Sequence, residues 1–252
     1  ANPYIITSAE ELYGMVKSNG KSGSYFKVSD DIDIFLMNSV YGMTKDEYTA
    51  FFTNNTPNNW NPGTTAFNGH FDGNGAKIVG LYSSVSTSGN AVGFIPRAGT
   101  ATVKNIQFEN CYVENTYVAA TNDNFTSAGL VIGRASDAST TQTLDTISIR
   151  NCTVKCDQDA SLLIGTAVNG GARVSNVVTA DNTIDVYSTD AIATKYQGLL
   201  YGNYWSEAGA QYSNCIFTET DEALTTQGVS ANATYTNIYA ASTPKTGTGV
   251  YT

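Results

Sequence analysis

Residues 103–114 read VKNIQFENCYVE and residues 144–156 read LDTISIRNCTVKC. Both alternate apolar and polar side chains, the period of a strand whose successive side chains point to opposite faces. Both open on one short pattern: apolar, any residue, Asn or a small residue, apolar. It recurs as IVGL (78–81), VKNI (103–106), LDTI (144–147), VSNV (174–177), YSNC (212–215) and YTNI (235–238). A second series interleaves with it: AVGFIPRA (91–98), AGLVIGRA (128–135), SLLIGTA (161–167) and QGLLYG (197–202). The steps within the first series run from about 23 to about 41 residues, so one supersecondary unit repeats along an axis. Clusters of Gly, Asn, Asp and Ser between the runs are turn chemistry. Helical periodicity is missing after Phe52. Short strands without crossover helices fit a β-solenoid better than a βαβ sheet, and the variable steps place loops of different length at one corner.

The recurring Asn has a physical reading. Asn tolerates the left-handed conformation needed where a strand turns a corner, and stacked Asn side chains form amide ladders between coils. Cys111 and Cys152, each following an Asn, are expected to point inward as small buried hydrophobes, with Asn182 and Thr183 as equivalents in the next coil. Asn214 and Cys215 fit either Asn register. The four cysteines (Cys111, Cys152, Cys156, Cys215) include no CxxC pair and lack zinc-ligand spacing, which favours a structural role. A Cys152–Cys156 disulfide runs against reach, because i and i+4 lie too far apart in extended chain.

The N-terminal third reads differently. Tyr4 to Ile6 is a short strand. Ser8 with Glu11 makes a capping box that opens a helix over about 9–18, with Leu12, Met15 and Val16 on its apolar face. YFKVSDDIDIF (25–35) alternates like a strand, and Thr44 with Glu47 makes a second capping box before EYTAFF. Residues 1–60 are therefore expected to form a small α/β cap on the first exposed coil edge, with β-helix coils over 61–252. After YTNI the chain runs through STPKTGTGVYT (242–252) with no matching cap. The coils are expected to continue beyond Thr252, or to meet another domain or subunit end to end at the C-terminal coil.

Only 14% of residues are charged, against roughly 25% in soluble domains. Ser, Thr, Asn and Gly carry the polarity instead. With 41% hydrophobic residues the chain does not read as disordered. Thirteen basic and 22 acidic residues leave a net charge of −9, and no basic cluster is present, which argues against nucleic acid or an anionic membrane surface as partner. No apolar run approaches the roughly 18–20 residues of a membrane helix.

The stretch WNPGTTAFNGHFDGNGAKIVGLY (60–82) resembles the one that opens the coils in the GLUG-motif family of bacterial surface and secreted proteins. That family has a Trp-Pro entry followed by F-x-G-x-F-D-G-N-G-x-x-I-x-G-L. Phe67, Gly69, Phe71, Asp72, Gly73, Asn74, Gly75, Ile78, Gly80 and Leu81 match it. The lead-in from Tyr4 to Ile34 resembles the family's as well. The resemblance spans residues 4 to 240, is densest at 60–82, and loosens after Thr121. The family's Gly-Leu-small-Gly repeats are approximated by AGLVIG and QGLLYG. It implies a right-handed parallel β-helix in modular extracellular proteins, and no catalytic residues.

His70 is the only histidine, so any Ser-His-Asp or Cys-His arrangement must use it. In GHFDG (69–73) it alternates as part of a strand, which favours a structural place. HExxH, G-x-S-x-G and P-loop motifs are missing, and GNGAKI (73–78) lacks the third glycine of a dinucleotide fingerprint. Asp72-Gly73-Asn74-Gly75 looks like a calcium loop but lacks its further ligands, so a tight turn is expected. Asp30, Asp31 and Asp33 fall in an alternating strand, and Asp157 and Asp159 read as loop solvation. Parallel β-helices also host polysaccharide lyases and glycoside hydrolases, which need facing carboxylates or a base beside a cation. Lys104, Lys155 and Arg150, with Glu109, Glu114 and Asp145 nearby in sequence, are the residues such chemistry would use.

No catalytic, cofactor-binding or metal residue is assigned, and no cofactor is expected. The sequence is best read as a non-catalytic extracellular binding, adhesion or spacer module of a bacterial surface or secreted protein. Its partner would be a glycan or protein ligand on the solenoid surface, with specificity in the loops 115–127 and 187–196. The alternatives are a carbohydrate-active β-helix enzyme and a structural subunit of a fibre or virion. Sites for N-glycosylation stand at Asn54 and Asn124.

Overall fold

A computed structural model describes the chain except for residues 1, 21, 56, 119–125, 136–139, 168–170, 188–195, 205–208, 222–231, 242–249 and 252. Four strands recur in a fixed order. The first is long: Thr102–Glu109, Thr143–Arg150 and Arg173–Ala180 in successive rungs. Each is followed by Tyr112–Asn115, Thr153–Cys156 or Thr183–Val186. Next come Ser127–Gly129, Asp159–Ser161 or Tyr196–Gly198, then Ile132–Ala135, Ile164–Ala167 or Tyr201–Tyr204. An earlier rung puts His70–Asp72 and Lys77–Val79 in the long strand's place, before Tyr82–Val85, Ala91–Val92 and Ile95–Ala98.

Equivalent strands pair in parallel, giving one 11-stranded and three 4-stranded sheets among the described residues. Stacked parallel sheets without crossover helices are consistent with a β-solenoid. The long sheet continues through Gln211–Phe217, Thr234–Ala240 and Val250–Tyr251. The rest of STPKTGTGVYT lies outside the described residues.

The sequence pattern follows from the backbone. Val103, Ile106 and Phe108 are buried and point inward, while Lys104 and Gln107 are partly exposed. Strict alternation would turn residue 105 inward. Asn105 instead has φ of 53°, in the left-handed region. It adds one residue to the outer face and restores the alternation beyond it. Thr146 (φ 55°), Asn176 (56°), Asn214 (54°) and Asn237 (54°) do the same in later rungs. Inward columns result: Phe71, Val103, Leu144, Val174, Tyr212 and Tyr235 stack in register, beside Ile106, Ile147 and Val177. Tyr212 and Tyr235 lie ring on ring at 5.2 Å.

A second left-handed column closes each long strand. Gly80 (φ 73°), Asn110 (53°), Asn151 (52°) and Asp181 (59°) occupy it. This revises two sequence readings and decides one left open. IVGL is not the equivalent of VKNI, because Ile78 pairs with Phe108 and Tyr82 with Tyr112. Asn214 belongs to the first column, since Ser213 pairs with Ser175. Cys152 is followed in the next rung by Asn182, and Asn151 by Asp181, one residue earlier than expected.

Asn182 is tolerated in that buried place because its amide is satisfied. It accepts from the Cys152 N–H at 2.8 Å and donates to Ile149 O at 3.0 Å and to Glu219 at 2.7 Å. All four cysteines are free and buried. Burial pushes the Cys156 thiol up to about 12, the setting of packing residues rather than reactive ones.

The N-terminal segment extends the long sheet. Tyr4–Ile6 pairs with Tyr25–Val28, which pairs with His70–Asp72. The expected strand over 25–35 divides into Tyr25–Val28 and Ile34–Phe35, because Asp31 is left-handed (φ 59°) and turns the chain. The helix Ala9–Lys17 is capped by Ser8 Oγ, which accepts from Glu11 N–H. The reciprocal arm departs from the expected box: Glu11 accepts from Thr7. Leu12, Met15 and Val16 join the core at the end of the rungs. The helix Lys45–Asn54 has the Thr44–Glu47 box. It packs beside the rungs, with Phe52 against Tyr82 and Tyr112 and Tyr48 Oη 2.7 Å from Thr153 Oγ1.

Candidate functional site

A groove of about 650 Å³ follows the first left-handed column across the long sheet, lined by Asn74, Gly75, Asn105, Gln107, Thr146, Ser148, Asn176 and Val178. Its floor follows from the backbone just described, since each left-handed residue puts two polar positions side by side on the outer face. An amide ladder extends the same column from Asn176 beyond the groove. Asn176 Nδ2 donates to Asp145 Oδ1 at 2.8 Å, Asn214 to Asn176 at 3.4 Å, and Asn237 to Asn214 at 3.1 Å. Stacked Asn was expected to do this.

Two residues beyond each left-handed position the outer face carries Gln107, Ser148, Val178, Ile216 and Tyr239 in one register. This column changes from polar to apolar along the stack. Val178, Ile216 and Tyr239 are 46%, 45% and 46% exposed. Sequence reading did not find it. Its signal, the second residue past each Asn, becomes visible once the register is known.

His70 is half-buried, stacked on Tyr25 at 4.4 Å with Nδ1 2.9 Å from Thr102 Oγ1. Asp72 accepts from Asn74 N–H at 2.9 Å, Asn105 Nδ2 at 3.0 Å and Lys104 Nζ at 3.1 Å. Burial pushes its carboxyl up, but Asn105, Asn74 and Lys104 together outweigh that and hold it below the ordinary value. This is turn chemistry in DGNG. Asp30 accepts from Asn74 at 2.7 Å and Lys27 at 3.3 Å, and Asp33 from Lys77 N–H at 2.8 Å, so these acids pin turns. No group of three or more His, Cys, Asp or Glu sits close enough to hold a metal among the described residues.

The strand charges form opposite-sign columns. Lys27, Asp72, Lys104 and Asp145 alternate across four rungs. Glu109 stands beside Arg150, and Glu114, Lys155 and Asp185 form a third column. Opposite charges in register favour that pairing over slipped ones. Lys104 is in register with Asp145, Arg150 with Glu109, and Lys155 with Glu114, while the ion pairs run from Lys104 to Asp72, Lys77 to Glu109, Arg150 to Asp181 and Lys155 to Asp185; the six residues thus lie on three separate columns.

Asp157 and Asp159 depart from expectation. They are 1% and 2% exposed rather than solvated, because the chain turns there into the third strand of its rung, with Asp159 N–H on Thr126 O. Asn54 donates to Ala50 O at the end of its helix, while Asn124 and most of the loops 115–127 and 187–196 lie outside the described residues. No described helix is long and apolar enough to cross a membrane. Comparison with protein-family models, curated proteins and solved structures found no match.

Proposed function

We propose that this chain is a right-handed parallel β-helix of the GLUG-motif kind and acts as a non-catalytic extracellular binding module. Its ligand is a neutral glycan laid along the groove of the long sheet. The observation that carries the reading is the groove's lining. Amide and hydroxyl groups of Gln107, Ser148 and Asn176 lie there beside the exposed apolar face of Val178, and the same outer column continues past the groove through exposed Ile216 and Tyr239. Fixed polar groups next to apolar surface suit a ligand with hydroxyl edges and apolar ring faces. The low charge of the chain and its Asn-rich ladder favour a neutral ligand over an acidic one. Extracellular placement is supported by the resemblance at residues 60–82.

A glycan array read with the wild type and with Ser148→Trp and Tyr239→Ala tests this. Binding to neutral oligosaccharides that both substitutions abolish supports the reading. Binding that neither changes, or depolymerisation of an acidic polysaccharide by the wild type, contradicts it.

A second reading, a subunit of a fibre, is favoured by one observation. Tyr4–Ile6 is the outermost strand of the long sheet, with Tyr4 66% and Ile5 51% exposed. Such an edge is a template for another chain. Light scattering that shows concentration-dependent growth, abolished by Ile5→Lys, would favour it over the first.

A further inference from the structure

Asp159 begins a series of three short contacts. Its Oδ2 lies 2.8 Å from Thr166 Oγ1, which lies 2.9 Å from Ser127 Oγ, which lies 2.7 Å from the carbonyl oxygen of Gly133. A carbonyl only accepts, so Ser127 gives its single proton to Gly133. Thr166 Oγ1 stands at donor distance from both Asp159 and Ser127, and the Ser127 contact is a hydrogen bond only when Thr166 gives its one proton there. With that proton given to Ser127, neither hydroxyl has one left for the contact between Thr166 and Asp159, and all three contacts are hydrogen bonds together only when the carboxyl supplies a proton. Asn203 Nδ2 donates to the same Oδ2 at 3.3 Å, a bond that either protonation state accepts.

We propose that Asp159 is protonated in the folded chain and closes a relay through Thr166 and Ser127 to Gly133, a pH-sensitive latch that loosens when the carboxyl ionises. The relay joins two adjacent rungs, and Asn203 adds a third. It sits in a close-packed place: a Cβ at Gly165 would lie 2.5 Å from Gly133 O and 2.5 Å from Ser127 Oγ. Ionisation would leave an oxygen pair without a proton in that space, with little room for water to separate them.

The surrounding charges are few. Arg134, on Ile132–Ala135, acts electrostatically on Asp159 and favours its ionised form. Ser127–Gly129 and Ile164–Ala167 bring no charged side chain. Tyr196–Gly198 brings the half-buried Tyr196, and Tyr201–Tyr204 brings the buried Tyr201 phenol along with Asn203. On the preceding strand the Cys156 thiol is raised partly by Asp159, and buried Asp157 is two residues away. Lys155 pairs at 3.7 Å with Asp185 of the neighbouring strand. Burial pushes the Asp159 carboxyl up to about 7, outweighing the pull of Asn203, Arg134 and a Thr166 hydroxyl turned to donate to the carboxylate; a Thr166 that accepts from the acid instead favours the neutral form.

A folded value above the unfolded one means that the folded chain holds more protons between the two. Stability is therefore full at and below the unfolded value, falls as pH rises through the window, and levels off above about 7. Urea unfolding of wild type and Asp159→Asn from pH 4.5 to 8.5 tests this. The asparagine amide supplies the donor proton at every pH. The wild-type unfolding constant is expected to rise, relative to the variant's, by up to about tenfold per pH unit below neutrality. Carbon NMR of the Asp159 carboxyl in the wild type reads the proton itself, whether or not the variant folds. A neutral-acid shift at pH 5 that moves to the carboxylate position near neutrality is expected. Identical pH dependence in the two proteins, or a carboxylate shift throughout, overturns the proposal.

Discussion

Thr146 holds in its rung the place that Asn176 holds in the next, with φ of 55° against 56°. The two backbones are alike and the side chains are not. A β-branched residue is strained in the left-handed region, where Asn is tolerated. Thr146 also interrupts the amide ladder between Asn105 and Asn176. Thr146→Asn should therefore stabilise the fold by about 1 kcal/mol, read as a higher urea midpoint with unchanged slope. An unchanged or lower midpoint would mean that the strain is relieved elsewhere.

The glycines divide into two kinds. A Cβ on Gly133 would lie 2.6 Å from the carbonyl oxygens of Pro96 and Val92. Backbone cannot step aside as a side chain can, so Gly133→Ala should cost about 3 kcal/mol. Gly14, inside the helix Ala9–Lys17, has nothing within 4 Å of a built Cβ. Gly14→Ala should gain up to about 1 kcal/mol. Thermal unfolding of the two variants should move the midpoint in opposite directions.

Phe94 stands at the centre of the aromatic packing, with Trp60, Phe71 and Phe108 at 5.7, 5.6 and 5.4 Å. Trp60 Nε1 also donates to its carbonyl at 2.9 Å. Phe94→Ala should cost about 3–5 kcal/mol, and Phe94→Leu much less. Equal losses in chemical unfolding would point away from packing as the cause.

Asp72 sets a limit at acid pH. Its folded pKa is depressed, so its contribution is present above the unfolded value and is lost as pH falls through the folded one. Lys104→Met removes one of the groups that depress it. The acid-unfolding midpoint, followed by circular dichroism, should move to higher pH in that variant. A midpoint that stays in place would show that Asn105 and Asn74 suffice.

Much of this was legible before the structure. Alternation around Asn105 and Asn110, the capping signals at Ser8 and Thr44, and the inward cysteines come from local backbone rules, which four to ten residues express. Register was harder. Gly80 and Asn105 fit the same four-letter pattern because both tolerate the left-handed region, yet they belong to different columns. Only long-range pairing separates them. Burial of polar groups was least visible. Asp159 reads as solvated in DQDA (157–160), and its partners Ser127, Thr166 and Asn203 come from three different rungs. The groove residues Ser148, Val178 and Tyr239 were missed for the same reason, since a column across rungs has no signature within any one of them.

A crystal structure of the chain tests the account most directly, because register, latch and groove all depend on how the rungs wind. The account predicts one closed right-handed coil per rung, with Asn105, Thr146, Asn176, Asn214 and Asn237 stacked in a single left-handed column. A left-handed winding, open sheets, or a register that separates those five residues would contradict it.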